Sequence, residues 1–426
     1  MRQAIGGFSR DLQDVMRKIN TKSFRLATRA TTREVNERIV LNLIREHQPI
    51  SRAELARRMK VHRSLLTPII RELLLHGEVV ETGKVVAARG RRPVLLSIRT
   101  AGRLVTAVDV RASRTSIALV DFGGHVVARE SLPTPVRAED LVREIAVRIT
   151  TLWASQDASG AAPSCQGVGV VVPGMVDRRT GCVIYAPRLG WRDVDLRDQL
   201  AQHVHMPVHV ESAPIACALA RLWSPNGGRS VNNFAYVSVS DGVGVGIVAS
   251  GEVLRGEAHT AGEFGHVSLD PSGPVCACGK RGCWEAFACN AATSARYVEE
   301  VAGATRRAKF GGPRRGPLPP VEEIVRRSLR GETAAITAIQ SAGREIGRGL
   351  AAVISTINPK RIYLGGEITA AWEILEPALR AALVEGTLTT ATRNTPVIPD
   401  REPAEYRLLG AVALVAAPSY AAPRVG

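Results

Sequence analysis

The amino-acid sequence predicts a small helical module with a β-hairpin, followed by a larger α/β part that has two lobes. Two observations carry this prediction. Residues 33–99 show apolar residues at helical spacing and then a hairpin pattern, and strand-like runs alternate with helical stretches from Leu104 onward. A chain of 426 residues, 45% of them hydrophobic, is long enough for two or three domains with sizeable cores.

Positive charge is concentrated at one end of the chain. Residues 1–99 hold 21 of the 56 Lys and Arg residues and 9 of the 40 acidic residues, a net charge of +12, whereas residues 100–426 carry +4. A basic block with apolar periodicity indicates a folded module that binds nucleic acid, because phosphate neutralisation is the sequence-independent part of such binding. Residues 1–32 have no clear period and are interpreted as a basic extension, with a solubilising tail as the alternative.

The sequence also excludes several classes of protein. It has no run of 18 apolar residues, so a membrane span is not expected, and the first 20 residues lack the apolar stretch of a secretory signal. Seven cysteines are too few for a disulfide scaffold. We therefore expect a cytoplasmic protein in which clustered cysteines bind metal.

Three helices are predicted in the basic module. The first begins near Thr32 and is stopped by Pro49. The second is opened by Ser51 and Glu54, which match a capping box. The third ends at Gly77 and contains Pro68, which predicts a kink or a late start. The apolar positions of the first helix are Val35, Ile39, Leu43 and Ile44, and those of the third are Leu65, Leu66, Ile69, Ile70, Leu73 and Leu74.

A predicted hairpin completes this module as a winged helix-turn-helix. Its strands are Glu78–Thr82 and Pro93–Ile98, and the loop between them contains an Arg-Gly-Arg-Arg sequence suited to a narrow minor groove. The third helix is expected to enter the major groove of operator DNA. The predicted DNA-binding residues are His62, Arg63, Ser64, Leu65 and Thr67 in the helix, and Arg89, Arg91 and Arg92 in the wing.

Two glycine clusters follow predicted strands of the α/β part. Asp241–Gly246 and Leu364–Glu367 can each bring backbone N–H groups close to a phosphate, although a hairpin turn that needs positive φ explains either cluster equally well. Residues 304–320 are rich in Gly, Pro and Arg and are expected to form an exposed excursion. The predicted strands are Leu104–Val110, Ser116–Asp121, Gly167–Val172, Val208–Val210, Phe234–Val239, Val243–Val248 and Arg361–Leu364.

The most specific pattern is a set of cysteines and a histidine. Three thiolates and an imidazole offer tetrahedral zinc a closed set of four ligands, as in structural rather than catalytic sites. The predicted zinc ligands are His266, Cys276, Cys278 and Cys283. The other cysteines, Cys165, Cys182, Cys217 and Cys289, are interpreted as small buried hydrophobic residues.

Together, the helix-turn-helix, the segment Val172–Asp177 and the His/Cys motif resemble the ROK family of repressors, open reading frames and kinases, from about Thr32 to the C-terminus. The resemblance implies a winged helix-turn-helix at 33–99 and, at 100–426, a two-lobed, actin-like and ribonuclease H-like sugar-kinase fold. Lobe 1 is expected at about 100–213 plus the segment from about 405, and lobe 2 at about 214–404. It also implies self-association as a homodimer or homotetramer and control by a sugar or sugar derivative.

By the same resemblance, Glu263, His266 and Glu285 contact sugar hydroxyls, and His266 also binds zinc. Two departures argue against catalysis. Ala213 stands where family kinases carry the Asp that accepts the hydroxyl proton, and Asp109–Ser113 lacks the glycine of the first phosphate loop. We therefore predict no kinase activity and no catalytic residues.

The predicted effector site also departs from the family pattern. Ser212 and Arg188 stand where asparagines are usual. Arg188 either pairs with a phosphate or carboxylate of the ligand or fills the cleft as a salt bridge to Glu211 or Asp193. The sequence thus favours a transcriptional regulator of carbohydrate-related genes, with a kinase fused to a DNA-binding domain and a DNA-binding protein with a decayed cleft as alternatives.

Overall fold

The computed structural model describes residues 29–84, 93–100, 102–157, 164–223, 231–308, 318–401 and 403–420. These residues divide into two compact units. The first runs to Arg99 and also includes Ser419 and Tyr420, and the second runs from Thr100 to Pro418. The sequence had placed all residues after position 100 in the second domain.

Three helices and a three-stranded sheet of order β1-β3-β2 form the first unit. Its core includes Val40, Leu41 and Ile44 of the first helix, so the prediction that Ile39 belongs to the apolar stripe is wrong: Ile39 is exposed. The periodicity was correct, but the buried face is rotated by about one residue. The elements are α1 (Arg29–His47), β1 (Ile50–Ser51), α2 (Arg52–Met59), α3 (Arg63–Leu75), β2 (Val79–Lys84) and β3 (Val94–Ile98).

Local signals account for the boundaries of these helices. The Ser51 hydroxyl accepts a hydrogen bond from the backbone N–H of Glu54, as the capping pattern predicts, while the Glu54 carboxylate turns to Arg58 at 3.0 Å. The α3 helix begins at Arg63 and contains Pro68, so the predicted late start is wrong. Leu66, which faces the core beside Pro68, is fully buried, and this packing keeps the helix intact despite the missing N–H.

Tyr420, close to the end of the sequence, belongs to the core of the first unit. Its side chain is buried, its carbonyl accepts a hydrogen bond of 2.8 Å from the amide of Asn42, and the Arg45 guanidinium lies 5.5 Å from its ring centroid. The chain therefore connects the two units twice, once at Arg99–Thr100 and again between Pro418 and Tyr420.

The second unit contains two five-stranded sheets with the same topology. In each sheet an antiparallel meander is followed by two parallel strands, giving the orders β11-β7-β4-β5-β6 and β14-β13-β12-β15-β16. This duplication confirms the predicted two-lobed α/β fold. The first lobe comprises β4 (Arg103–Val110), β5 (Arg114–Asp121), β6 (Val126–Pro133), α4 (Ala138–Asp157), β7 (Ser164–Val172), β8 (Met175–Asp177), β9 (Cys182–Ala186), β10 (Trp191–Val194), α5 (Leu196–Val204) and β11 (Val208–Ser212).

Helices cover the second sheet and contribute most of its core. The α10 helix packs against α11. The α13 helix packs against α6 and returns to the first lobe, where it contacts β4 and β7. The elements are α6 (Ala213–Trp223), β12 (Phe234–Val239), β13 (Val243–Ala249), β14 (Glu252–Leu254), α7 (Trp284–Ala288), α8 (Asn290–Ala308), α9 (Val321–Leu329), α10 (Thr333–Ile357), β15 (Ile362–Gly365), α11 (Trp372–Gly386), α12 (Thr390–Arg393), β16 (Val397–Pro399) and α13 (Pro403–Ala416).

Some expectations need correction in this unit. Cys217 and Cys289 are buried as predicted, but Cys165 and Cys182 are only half-buried. The first residues of the predicted excursion belong to α8, which extends to Ala308, and most of the rest lies outside the described residues. Among the described helices, we find none with the length and apolar character needed to cross a membrane.

Candidate effector cleft and metal site

The four predicted zinc ligands converge. The ligand atoms of His266, Cys276, Cys278 and Cys283 all lie within 4.8 Å of one another. The Sγ atoms of Cys278 and Cys283 are 3.7 Å apart, and Cys276 Sγ is 3.7 Å from His266 Nδ1. A tetrahedron with metal–sulfur bonds of about 2.3 Å has edges of about 3.8 Å, so the donor set and its spacing fit zinc.

Backbone geometry closes the loop that carries these cysteines. Gly282 has φ of +68°, and a Cβ there would lie 1.5 Å from the carbonyl oxygen of Asp270. Bridges between Val275 and Arg281 and a hydrogen bond of 2.8 Å from Cys276 N–H to the Lys280 carbonyl fold the chain back on itself. Only glycine is compatible with both the left-handed conformation and the close backbone approach at position 282.

The cysteine loop braces the acidic residues of the cleft. His266 ends a 3₁₀ turn that begins at Glu263, and its Nδ1 faces Cys276 while its Nε2 lies 3.8 Å from the Glu263 carboxylate. Cys283 directly precedes α7, where Trp284 is fully buried and donates a hydrogen bond of 2.9 Å to the Glu345 carbonyl. A metal held by these four ligands would therefore link the segment that carries Glu263 to the segment that carries Glu285.

A cavity of about 100 Å³ lies between the two sheets, lined by loops of both lobes. Four of the five predicted effector residues line it: Arg188, Glu263, His266 and Glu285. The fifth, Ser212, is buried at the end of β11 and is not among the lining residues, although its neighbour Ala213 is. Four of the predicted effector residues thus meet at one cavity, whereas Ser212 lies one residue away from its wall.

Two carboxylates face this cavity in different environments. The Glu285 carboxylate accepts a hydrogen bond of 3.0 Å from the backbone N–H of Val243. Burial, together with the nearby charge of Glu285, raises the pKa of Glu263 to about 7. Near neutral pH the Glu263 carboxyl is thus divided between its protonated and ionised forms, so that it can donate or accept a hydrogen bond.

Neither predicted salt-bridge partner of Arg188 is correct. Its Nη2 lies 3.7 Å from the Glu285 carboxylate and 3.6 Å from Cys289 Sγ. Glu211 instead receives two hydrogen bonds from Arg255, at 2.9 and 3.2 Å, and Asp193 is exposed. The Nε of Arg188 is buried and has no hydrogen-bond partner among the described residues.

The structure describes both positions at which the sequence departs from the family kinases. Ala213 lines the cavity, where its side chain is a methyl group that cannot accept a proton. Asp109 is engaged on both carboxylate oxygens, by Arg407 at 2.6 Å and by Arg111 at 3.0 Å. The glycine cluster after β12 also differs from expectation, because Gly244 and Gly246 lie inside β13 and have no positive φ.

The sequence did not predict the other contacts that join the lobes. His259 lies 3.1 Å from the Asp177 carboxylate, and Arg111 lies 2.6 Å from that of Glu367. Each pair is separated by many residues in the chain, so no local pattern indicates it. The sequence offers one indication of these ion pairs: Asp177, Arg111 and Glu367 lie in segments that its motifs single out.

The predicted DNA-binding side chains of α3 are exposed. They surround the N-terminus of the helix, where His62 is the N-cap, and Leu65 is 61% exposed while Leu66, Ile70 and Leu73 are buried on the opposite face. The exposed set is His62, Arg63, Ser64, Leu65 and Thr67. The wing residues Arg89, Arg91 and Arg92 lie outside the described residues.

The fold and the cleft define a sugar-kinase-like protein joined to a helix-turn-helix unit, and the chain belongs to the ROK family, whose model matches residues 105–417. The putative xylose repressor of Caldicellulosiruptor sp. (strain Rt8B.4) is 27% identical, and the match covers 92% of this chain and 97% of the relative. The DNA-binding transcriptional dual regulator NagC of Escherichia coli K12 is 28% identical, with coverage of 90% and 92%.

Two solved structures match different lengths of this chain. The crystal structure of a ROK family transcriptional regulator, a homologue of the E. coli MLC protein, has a TM-score of 0.73 and 26% identity, and covers 90% of this chain and 97% of its own. A ROK hexokinase from Thermus thermophilus has a TM-score of 0.54 and 28% identity, and covers 74% of this chain and 98% of its own. The regulator therefore matches a longer part of this chain than the hexokinase does.

Proposed function

We propose that this protein is a transcriptional repressor that binds operator DNA and responds to a sugar or sugar derivative. One observation carries the proposal: the similarity to a xylose repressor and to NagC extends over at least 90% of the chain, well beyond the part shared with a hexokinase. The exposed end of α3 and the net charge of +12 in residues 1–99 supply the chemistry for DNA binding.

The proposed DNA-binding domain comprises residues 33–99. Arg63 and its neighbours at the start of α3 contact base edges in the major groove, and Arg89, Arg91 and Arg92 contact the minor groove. The protein binds as a symmetric dimer or a dimer of dimers, with the two reading heads about 34–36 Å apart so that they meet successive major grooves.

The proposed effector site is the cavity between the lobes. Glu263 and Glu285 exchange hydrogen bonds with vicinal hydroxyls of the sugar, and the Nε2 of His266 contacts a further hydroxyl. Arg188 completes the site, since it lines the cavity and its Nε has no hydrogen-bond partner among the described residues. Ser212 is buried and does not line the cavity, so it is not proposed to contact the effector. Effector binding changes lobe closure and, through it, the spacing of the reading heads.

Zinc is the proposed occupant of the His266, Cys276, Cys278 and Cys283 cluster. It supplies no reaction step, because four protein ligands leave no open coordination position. Its role is to cross-link the cysteine loop so that Glu263 and Glu285 keep their orientation.

Purified full-length protein tests this function in a binding titration with DNA from the upstream region of its own gene. We expect a preference over random DNA of the same length, and a change in operator affinity when the correct sugar is added. Xylose, N-acetylglucosamine and their phosphates are the first sugars to screen, given the names of the relatives. Equal affinity for both DNAs would contradict the regulator. Selective DNA binding that none of these sugars alters, with no thermal shift from any of them, would favour a decayed cleft.

The competing proposal is a sugar kinase fused to a DNA-binding domain. The Thermus hexokinase match favours it because the sugar-kinase fold is retained. A coupled assay for ADP release in the presence of each sugar distinguishes the two, since the kinase requires ATP-dependent turnover that mutation of the cleft abolishes.

A further inference from the structure

Three turns of the chain meet at the edge of the cleft cavity, and two of their residues, Arg111 and Ser240, line it. None of the three turns is among the sugar contacts proposed above. They follow the ends of β4, β12 and β15, and each contains a segment that the sequence singled out. At the third turn Gly366 has φ of +138°, and a Cβ there would lie 1.7 Å from the carbonyl oxygen of Val239. This close approach brings the residue that follows, Glu367, next to the turn after β12.

The Glu367 carboxylate is surrounded by hydrogen-bond donors. One oxygen accepts from Arg111 Nη1 at 2.6 Å, and the other accepts from Ser240 Oγ at 2.8 Å and from Asn290 Nδ2 at 3.0 Å. The side chain is 13% exposed. Three donors thus converge on one buried anion: a guanidinium, a hydroxyl and an amide. Proteins use the same types of donor to bind phosphate groups.

The donor Arg111 comes from the opposite lobe. It follows β4 in the first sheet, whereas Glu367 follows β15 in the second. Arg111 is held by Asp109 through Nε at 3.0 Å, and Asp109 is in turn held by Arg407 of α13 at 2.6 Å. The Arg111–Glu367 pair therefore joins the two lobes through side chains that are fixed on both sides.

The pKa shifts of Glu367 and Arg111 are those of an ion pair in which both groups are charged. Burial alone raises the pKa of Glu367, but the donors Asn290, Arg111 and Ser240 outweigh it and hold the pKa below its ordinary value. Burial lowers the pKa of Arg111, and Asp109 and Glu367 more than offset this effect. Both groups remain ionised, and each depends on the other because a buried charge without a partner is strongly destabilising.

We propose that Glu367 is an internal anion that occupies a phosphate-type site between the lobes, where Arg111, Ser240 and Asn290 form the binding groups. The Glu367 carboxylate occupies the donors, so external phosphate cannot bind them. Its ion pair with Arg111 also holds the two lobes together in the absence of a nucleotide. When the carboxylate is removed, the same donors bind inorganic phosphate. This inference goes beyond the proposed function, since it depends on neither DNA binding nor a sugar effector.

The full-length variant Glu367→Ala tests the proposal by isothermal titration with inorganic phosphate at constant ionic strength. We expect the variant to bind one phosphate per chain at least about tenfold more tightly than the wild type, because charge-assisted hydrogen bonds become available to the ligand. The double variant Arg111→Ala/Glu367→Ala should lose this gain. Glu373→Ala is the matched control, since it removes an exposed carboxylate that pairs with Arg401.

A second variant keeps the test decisive if Glu367→Ala does not fold. Glu367→Gln preserves size and hydrogen bonding but removes the charge that pairs with Arg111. We expect faster amide hydrogen exchange at residues 111–113 and 240–243, with exchange elsewhere as in the wild type. A folded Glu367→Ala protein that binds phosphate no better than the wild type would overturn the proposal, as would unchanged exchange in Glu367→Gln.

Discussion

At the residue scale, the side chains at the cleft differ in the chemistry that their surroundings allow. Ala213 lines the cavity with no group that can accept a proton, while the neighbouring Glu211 is tied to Arg255. In the first unit, Arg63 is exposed at the start of α3, on the face opposite to the core, as the proposed contact with DNA requires. The sequence singles out Ala213 and Arg63 by the functional groups that their side chains lack or carry. The structure shows which other groups and how much solvent each side chain meets.

Arg63→Ala is expected to weaken operator binding by about 1–3 kcal/mol, because the variant loses a charge-assisted contact at the DNA surface. A fluorescence anisotropy titration at fixed salt concentration measures this change. Arg401→Ala is the matched control. Arg401 is exposed like Arg63, but it belongs to the second unit and pairs with Glu373. Equal losses in the two variants would show that Arg63 acts only through net charge.

At the scale of elements, glycines determine how closely the helices and strands around the cleft pack. A Cβ at Gly246 of β13 would lie 2.3 Å from the carbonyl oxygen of Pro214 in α6, so the strand and the helix touch through their backbones. Gly246 of the glycine cluster after β12 therefore serves packing, whereas Gly242 lies in the turn between β12 and β13. Gly282 likewise allows a close backbone approach, here to the carbonyl oxygen of Asp270, in the loop that carries the cysteine cluster.

Gly246→Ala is expected to lower the free energy of unfolding by about 1–3 kcal/mol, because α6 and β13 must separate to admit the methyl group. Urea denaturation measures the change. Gly303→Ala is the control: Gly303 lies in α8 with open space around its Cα. Alanine there should be neutral or should stabilise the helix by up to about 1 kcal/mol. A stable Gly246→Ala protein would contradict the close packing.

The metal loop gives a second prediction at this scale. Metal analysis of the wild type should find one zinc per chain, and Cys278→Ser should lower both the zinc content and the melting temperature, because structural zinc contributes directly to folding. Cys182→Ser, which changes a half-buried cysteine outside the cluster, should alter neither. Full zinc occupancy in Cys278→Ser would remove that residue from the ligand set.

At the scale of the whole molecule, two similar sheets enclose a cleft whose walls are joined by ion pairs. Arg255–Glu211, Arg188–Glu285 and Arg111–Glu367 each link a residue of one lobe to a residue of the other. The return of the chain from α13 to Tyr420 gives the second unit a second covalent link to the first. The proposed function needs such a connection, since it requires ligand binding between the lobes to alter DNA binding.

The whole chain should show no ATP-dependent phosphorylation of sugars, and Ala213→Asp should not create it, since the first phosphate loop still lacks its glycine and Arg111 remains paired with Glu367. A coupled assay for ADP measures turnover, with a ROK hexokinase as the positive control. Wild-type turnover that Glu263→Gln abolishes would replace the repressor with the kinase proposal.

Sequence alone determined the features that depend on local pattern and residue chemistry. These were the helices and strands, the basic N-terminal part, the zinc-type donor set of His266 and the three cysteines, and the missing carboxylate at Ala213. Periodicity and residue type carry this information because secondary structure and ligand chemistry depend on neighbouring residues.

Tertiary structure alone decided which charges meet. The sequence leaves Arg188 either to an anionic group of a ligand or to a salt bridge with Glu211 or Asp193, and in the structure it lies against Glu285. Glu367 has no partner predicted from the sequence and is held by Arg111. The rotation of the buried face of α1 and the place of Tyr420 in the first unit were likewise invisible. Such contacts join residues far apart in the chain, and the folded packing that brings them together leaves no pattern in either local segment.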